Sequence, residues 1–198
     1  MAQVEFFFDV GSPYSYLAYY ELPKIASRQK AEIIWRPILL GGLFKATGNS
    51  SPVNVPAKRS YSSKDLKRWA AHYQIPFQHN PFFPINTLQL MRGAVGMQMH
   101  EPQAFSRYME AIFNGMFRNP QNLADESVFI TLLQDAGLNP DRVLQLAAMD
   151  DVKNKLKTET EAAVARGLFG APTFIVDNEL YWGQDRLLFV EEALAKAG

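Results

Sequence analysis

The 198-residue chain carries 20 Lys and Arg against 20 Asp and Glu, so its formal net charge is zero; 47% of it is hydrophobic and none of it is cysteine. Neutrality gives no electrostatic reason to expect nucleic acid or an anionic membrane as partner, and an aromatic share of 13% excludes a disordered polymer. Without cysteine there is no disulfide scaffold, no thiolate zinc site and no redox thiol of the chain's own, so any sulfur chemistry must borrow its sulfur. No metal site is expected. The first residues lack a basic leader, Glu5 and Asp9 bracket a short apolar run, and nothing approaches 18 apolar residues in a row. The expectation is a soluble cytoplasmic protein.

In chain order, Val4 to Asp9 is a Phe-rich run suited to a strand buried on both faces. Gly11-Ser12-Pro13 then starts a helix, with Ser12 as N-cap and Pro13 at the first helical position, reaching about Gln29. Glu32 to Pro37 reads as a second strand, completing a βαβ unit. From Gly41 to Gly167 the periodicity is helical almost throughout. Leu66, Trp69, Ala70 and Tyr73 share one face, and Phe105, Tyr108, Met109, Ile112, Phe113 and Met116 form a fuller stripe, read as core. Helix stops are expected at Gly137 and Gly167. Thr173 to Val176 and Glu179 to Trp182, joined by Asp177-Asn178, read as a hairpin. A last helix runs from about Arg186 to Lys196, with Asp185 as its cap.

These elements define an α/β fold, a thioredoxin-like domain (βαβ…ββα) made of residues 1–42 and 168–198, with an all-helical insertion at 43–167 forming the substrate pocket. In such folds the loop from the first strand to the first helix carries the reactive group. A redox member would place two cysteines where this chain has Ser12-Pro13-Tyr14-Ser15. A serine hydroxyl is not an anion at neutral pH, and His72, His79 and His100 lie far off in sequence. Ser12 can instead donate to another molecule's thiolate. Lowering a thiol pKa from about 8.5 to about 6.5 needs roughly 2.7 kcal/mol. A charge-assisted hydrogen bond of about 1.5–3 kcal/mol plus about 0.3–1 from a helix N-terminus supplies it. By local rules alone Ser12 is equally a plain N-cap.

Phe169-Gly170-Ala171-Pro172-Thr173 opens the hairpin. A proline before a buried strand belongs at an edge, in an ordinary turn or in a special conformation such as a cis bond. In the thioredoxin-like arrangement it faces the reactive loop, and the backbone of Ala171 pairs with an extended peptide ligand such as glutathione. Trp182-Gly183-Gln184-Asp185 offers Gln184 and Asp185 to the ammonium and carboxylate of a γ-glutamyl group. Asp185 as a mere cap fits as well. Arg36 at a strand end reads as one side of a structural salt bridge.

Taken together these stretches resemble the 2-hydroxychromene-2-carboxylate isomerase family, related to kappa-class glutathione transferases. The resemblance rests on Phe-Phe-Asp-Val-Gly-Ser-Pro-Tyr-Ser-Tyr-Leu-Ala, Gly48-Asn49, Asp65 to Trp69, Ile75-Pro76, Phe169 to Thr173 and Tyr181 to Leu187, in order along nearly the whole chain. It implies glutathione as cofactor, with its sulfur on Ser12 as catalytic residue. It also places the tripeptide's cysteinyl backbone on Ala171 beside Pro172 and its γ-glutamyl end near Trp182, Gly183, Gln184 and Asp185. The thiolate would add to the conjugated chromene, the ring would open and rotate, and elimination would release trans-o-hydroxybenzylidenepyruvate and return glutathione. Lys45, Asn49 and Lys58 become candidates for the substrate carboxylate or glutathione. Gly11 and Ala171 stand where the family has bulkier residues, which is expected to widen or reshape the pocket. The alternatives are a kappa-type transferase or peroxidase and a non-catalytic peptide-binding module. The resemblance implies a homodimer; no nucleic acid or membrane partner is expected.

Overall fold

A computed structural model describes all 198 residues. β1 (Gln3–Phe8), α1 (Pro13–Gln29) and β2 (Glu32–Pro37) open the chain, and β3 (Thr173–Val176), β4 (Glu179–Trp182) and α9 (Leu187–Ala197) close it. The four strands form one sheet in the order β2-β1-β3-β4. β1 runs parallel to β2 and antiparallel to β3, and β3 runs antiparallel to β4. With Trp35 opposite Phe6 on one side and Phe174 on the other, β1 is an inner strand. That position is why Phe6, Phe7 and Phe8 are all apolar, each at most 2% exposed. Glu5 breaks the run, and its carboxylate is met by Arg36 at 2.9 Å and Arg166 at 2.6 Å. Arg36 is thus the structural ion pair its position suggests.

Between β2 and β3 lie α2 (Leu40–Thr47), α3 (Pro56–Tyr73), α4 (Leu88–His100), α5 (Pro102–Phe117), α6 (Glu126–Asp135), α7 (Pro140–Ala148) and α8 (Asp150–Ala165). Gly137 and Gly167 take the left-handed conformation at helix ends, with φ of +68° and +87°, as their positions predict. The α5 stripe from Phe105 to Met116 is buried. Its Phe113 ring lies 6.2 Å from Phe8, 6.1 Å from Tyr16 and 4.9 Å from Tyr19. At about 1.5–3 kcal/mol per buried large side chain, that stripe is core. One apolar core of 39 residues runs from the sheet through the insertion. No helix is long and apolar enough to cross a membrane.

The insertion is helical almost throughout, as its periodicity predicts, and residues 74–87 are its longest break. Pro76, Pro81 and Pro84 remove backbone donors there and bias the residues before them away from helix. Asn80 Nδ2 holds the segment by donating to the carbonyls of Met116 at 3.1 Å and Gln121 at 3.0 Å. One expectation needs correction, since Asp185 does not cap the last helix. It sits inside a 3₁₀ turn, Gln184–Arg186, and α9 starts at Leu187 with no side-chain cap.

Candidate active site at the Ser12 loop

The loop after β1 delivers Ser12 to the N-terminus of α1. The Ser12 backbone is extended, as an N-cap requires, and its Oγ accepts the Ser15 N–H at 3.1 Å. Its own proton goes across the molecule, since the Ser12 O–H donates to the Ala171 carbonyl at 3.1 Å. Residues 159 apart in sequence are thereby joined in one site. The Ala171–Pro172 bond is cis. The Ala171 N–H and the Tyr14 N–H donate to no group of the protein. Two unused amide donors thus flank a hydroxyl at a helix N-terminus, an arrangement that accepts an anionic sulfur and an extended peptide backbone.

The hairpin end is held close by. The Gly183 N–H donates to the Pro172 carbonyl at 3.0 Å, and the Tyr73 hydroxyl of α3 donates to the Gln184 carbonyl at 2.9 Å. Gln184 is buried, whereas Asp185 is half-exposed and pairs with Arg186 at 2.6 Å. Trp182 is 49% exposed and packs beside the likewise exposed Phe169, ring centres 5.0 Å apart. Gly170 makes this possible, because a Cβ there would stand 2.5 Å from the Trp182 Nε1. Asn49 reaches the same segment, with its Nδ2 donating to the Phe169 carbonyl at 2.8 Å. Lys45 and Lys58 are exposed and make no hydrogen bond or ion pair, so the structure joins neither to Ser12 or Ala171. His79 contacts Ser63, His100 pairs with Asp151, and His72 packs on Trp69; none touches Ser12.

Gly11 does not widen the site. The Thr87 methyl lies 2.8 Å from the position a Gly11 Cβ would take, so a side chain of the insertion fills the space a larger residue would claim. Sequence reasoning also missed Asp9, Tyr14 and Thr87. Burial pushes the Tyr14 hydroxyl's pKa up, against its hydrogen bond with Ser62, and Asp65, Tyr61 and Asp185 add to the rise. That set brings α3 over the loop. Two clefts of about 370 and 450 Å³, both lined by Leu88, Arg92 and Lys153, lie elsewhere in the insertion, and Ser12 lines neither.

A model of the DsbA-like thioredoxin domain matches residues 3–195. The 2-hydroxychromene-2-carboxylate isomerase of Sphingobium xenophagum is 30% identical, over 96% of this chain and 97% of its own length. The chain belongs to the DsbA-like thioredoxin domain family, on its 2-hydroxychromene-2-carboxylate isomerase branch. The resemblance drawn from the motifs is borne out, and the chain is an isomerase-family enzyme. Glutathione S-transferase kappa 1 of Homo sapiens is 29% identical over 98% of this chain and 91% of its own length. A solved 2-hydroxychromene-2-carboxylate isomerase superposes with a TM-score of 0.86 at 29% identity, covering 98% of this chain and 95% of that one. The branch thus shares a thioredoxin-like sheet whose first helix, in this chain, begins at a serine.

Proposed function

We propose that the protein is a glutathione-dependent isomerase that interconverts 2-hydroxychromene-2-carboxylate and trans-o-hydroxybenzylidenepyruvate, a step of aromatic catabolism. The observation that carries this reading is the Ser12 O–H bond to the Ala171 carbonyl beside a cis proline. In the free chain each group satisfies the other. On binding, Ser12 turns its proton to the sulfur, and the Ala171 carbonyl and N–H take the cysteinyl backbone of the tripeptide. One internal hydrogen bond worth about 1 kcal/mol is exchanged for several across the ligand. The free Tyr14 amide and the dipole of α1 favour the thiolate over the thiol. Trp182, Gly183, Gln184 and Asp185 receive the γ-glutamyl end, where Asp185 exchanges Arg186 for the ligand ammonium. Bound glutathione supplies a sulfur nucleophile that adds to the substrate and leaves unchanged.

Asn49 reaches toward this site through Phe169, while Lys45 and Lys58 would need to swing in to meet a substrate carboxylate. A homodimer in the cytoplasm completes the proposal. The transferase reading uses the same residues on an electrophile that keeps the sulfur. The two separate in one assay, substrate turnover with and without glutathione. The isomerase reading expects turnover only with glutathione, full recovery of free thiol, and a loss of about 10- to 100-fold in Ser12→Ala, matching one charge-assisted hydrogen bond. Accumulating conjugate would favour the transferase. Turnover without glutathione, or unchanged in Ser12→Ala, would sink the shared mechanism.

A further inference from the structure

Asp9 is 1% exposed and stands three residues before Ser12. Its Oδ1 accepts the Gly11 N–H at 2.8 Å, and its backbone carbonyl accepts the Ser12 N–H at 3.0 Å. Its Oδ2 accepts the Leu40 N–H at 2.8 Å and the Thr87 O–H at 3.1 Å. Leu40 is the first residue of α2, and Thr87 is the N-cap of α4. Neither helix has a side-chain cap of its own, because Leu39 has no polar group to offer and the Thr87 hydroxyl is turned to Asp9. Two helix N-termini, α2 at the entry to the insertion and α4 within it, therefore converge on one carboxylate of the reactive loop, α2 through its Leu40 amide and α4 through the Thr87 hydroxyl. The Val10 N–H adds a second tie to α4 by donating to the Met91 sulfur at 3.3 Å.

Two amides and a hydroxyl are all that bond the carboxylate, and no Lys, Arg or His pairs with it. Burial raises the pKa of the Asp9 carboxyl, while the Gly11 and Leu40 amides and the Thr87 hydroxyl oppose the rise. A negative group beside a site meant for an anionic sulfur is tolerable only because two positive helix ends face it. We propose that Asp9 is the positioning residue of the Ser12 site, clamping Gly11 and Ser12 against the insertion and setting by its charge how readily a sulfur held at Ser12 ionises.

The proposal takes Ser12 as the seat of the reacting sulfur, as above, but its test needs no glutathione. Ser12→Cys gives this cysteine-free chain one thiol at the site, and the pH midpoint of its alkylation by iodoacetamide reads its ionisation. Adding Asp9→Asn removes the charge, and the midpoint is expected to fall by about one pH unit, a tenfold change in the ionisation constant. Adding Thr87→Val keeps the charge and the methyl beside Gly11 but removes a donor. The midpoint should then rise by about half a pH unit, and Thr87→Ser should restore it. A purely structural brace would send both Asp9→Asn and Thr87→Val toward the free-thiol value near 8.5, or move neither, and either result overturns the proposal. Should Asp9→Asn not fold, the Thr87 pair decides: a midpoint unchanged in Thr87→Val, or one not restored by Thr87→Ser, overturns it.

Discussion

The Ser12 hydroxyl accepts from Ser15 and donates to Ala171, so Ser12→Ala removes two bonds at once. Loss of an N-cap costs about 1 kcal/mol, which in a chain of this size lowers the melting temperature by about 2–4 °C. Differential scanning calorimetry of Ser12→Ala should find that small drop, while the proposed loss of turnover is far larger than so slight a destabilisation explains. An unchanged melting temperature would mean that Ser15 finds another acceptor. Ser12, Ala171 and Pro172 stood out through local signals, a serine before a helical proline and a proline before a buried strand, but only the resemblance along the whole chain raised them above a cap and a turn. Asp9 and Thr87 did not stand out. An acid at a strand end reads as punctuation, and a threonine after a proline-rich stretch reads as loop. What makes them partners is a contact across 78 positions that no local rule encodes.

The hairpin β3–β4 shows the same division among elements. Asp177 and Asn178 both adopt positive φ, 49° and 67°, as a two-residue primed turn requires, so that element followed from residue type. The start of α9 did not, because Gly183 at φ +101° and its bond to the Pro172 carbonyl bend the chain into a 3₁₀ turn before Asp185 can act as a cap. The Pro172 carbonyl thereby marks where the hairpin ends. Gly170 is the other constraint here. In Gly170→Ala the new Cβ would collide with the Trp182 indole, which is half-exposed and free to swing out. Stability should change by less than about 1 kcal/mol, since a surface side chain gives way instead of backbone. Trp182 fluorescence should shift and, with Trp182 receiving glutathione as proposed, KM for glutathione should rise several-fold with kcat little altered. A normal KM despite a displaced Trp182 would remove Trp182 from the proposed glutathione site.

Across the whole molecule, the insertion leaves the sheet after β2 and returns before β3, and Glu5 ties the return to the sheet. Its carboxylate binds Arg36 of β2 and also Arg166 at the end of α8, while Glu159 of α8 lies 3.8 Å from Arg36. βαβ periodicity predicted the two halves of the sheet, but not this bolt, because residues 5 and 166 are neighbours only once the insertion has folded. The Arg166 hydrogen bond, with Arg36 behind it, holds the Glu5 carboxyl below the ordinary glutamate value of 4.5, against a desolvation that raises it. A depressed carboxylate contributes stability above its unfolded value and loses it as pH falls through the folded value. Asp9 has the opposite sign, since its raised value favours the fold below 3.8 and that contribution fades as pH climbs through the folded value. Glu5→Gln isolates the first effect. Both arginines are partly solvated, so the variant should be less stable at pH 7 by only about 1 kcal/mol, read from urea midpoints. The gap should narrow as pH falls below 4.5 and close only once pH has passed the lowered folded value, where Glu5 is protonated in both the folded and unfolded wild-type chain. A gap that stays constant from neutral to acid pH would mean that Glu5 contributes by packing, and that the return of the insertion to the sheet does not depend on its charge.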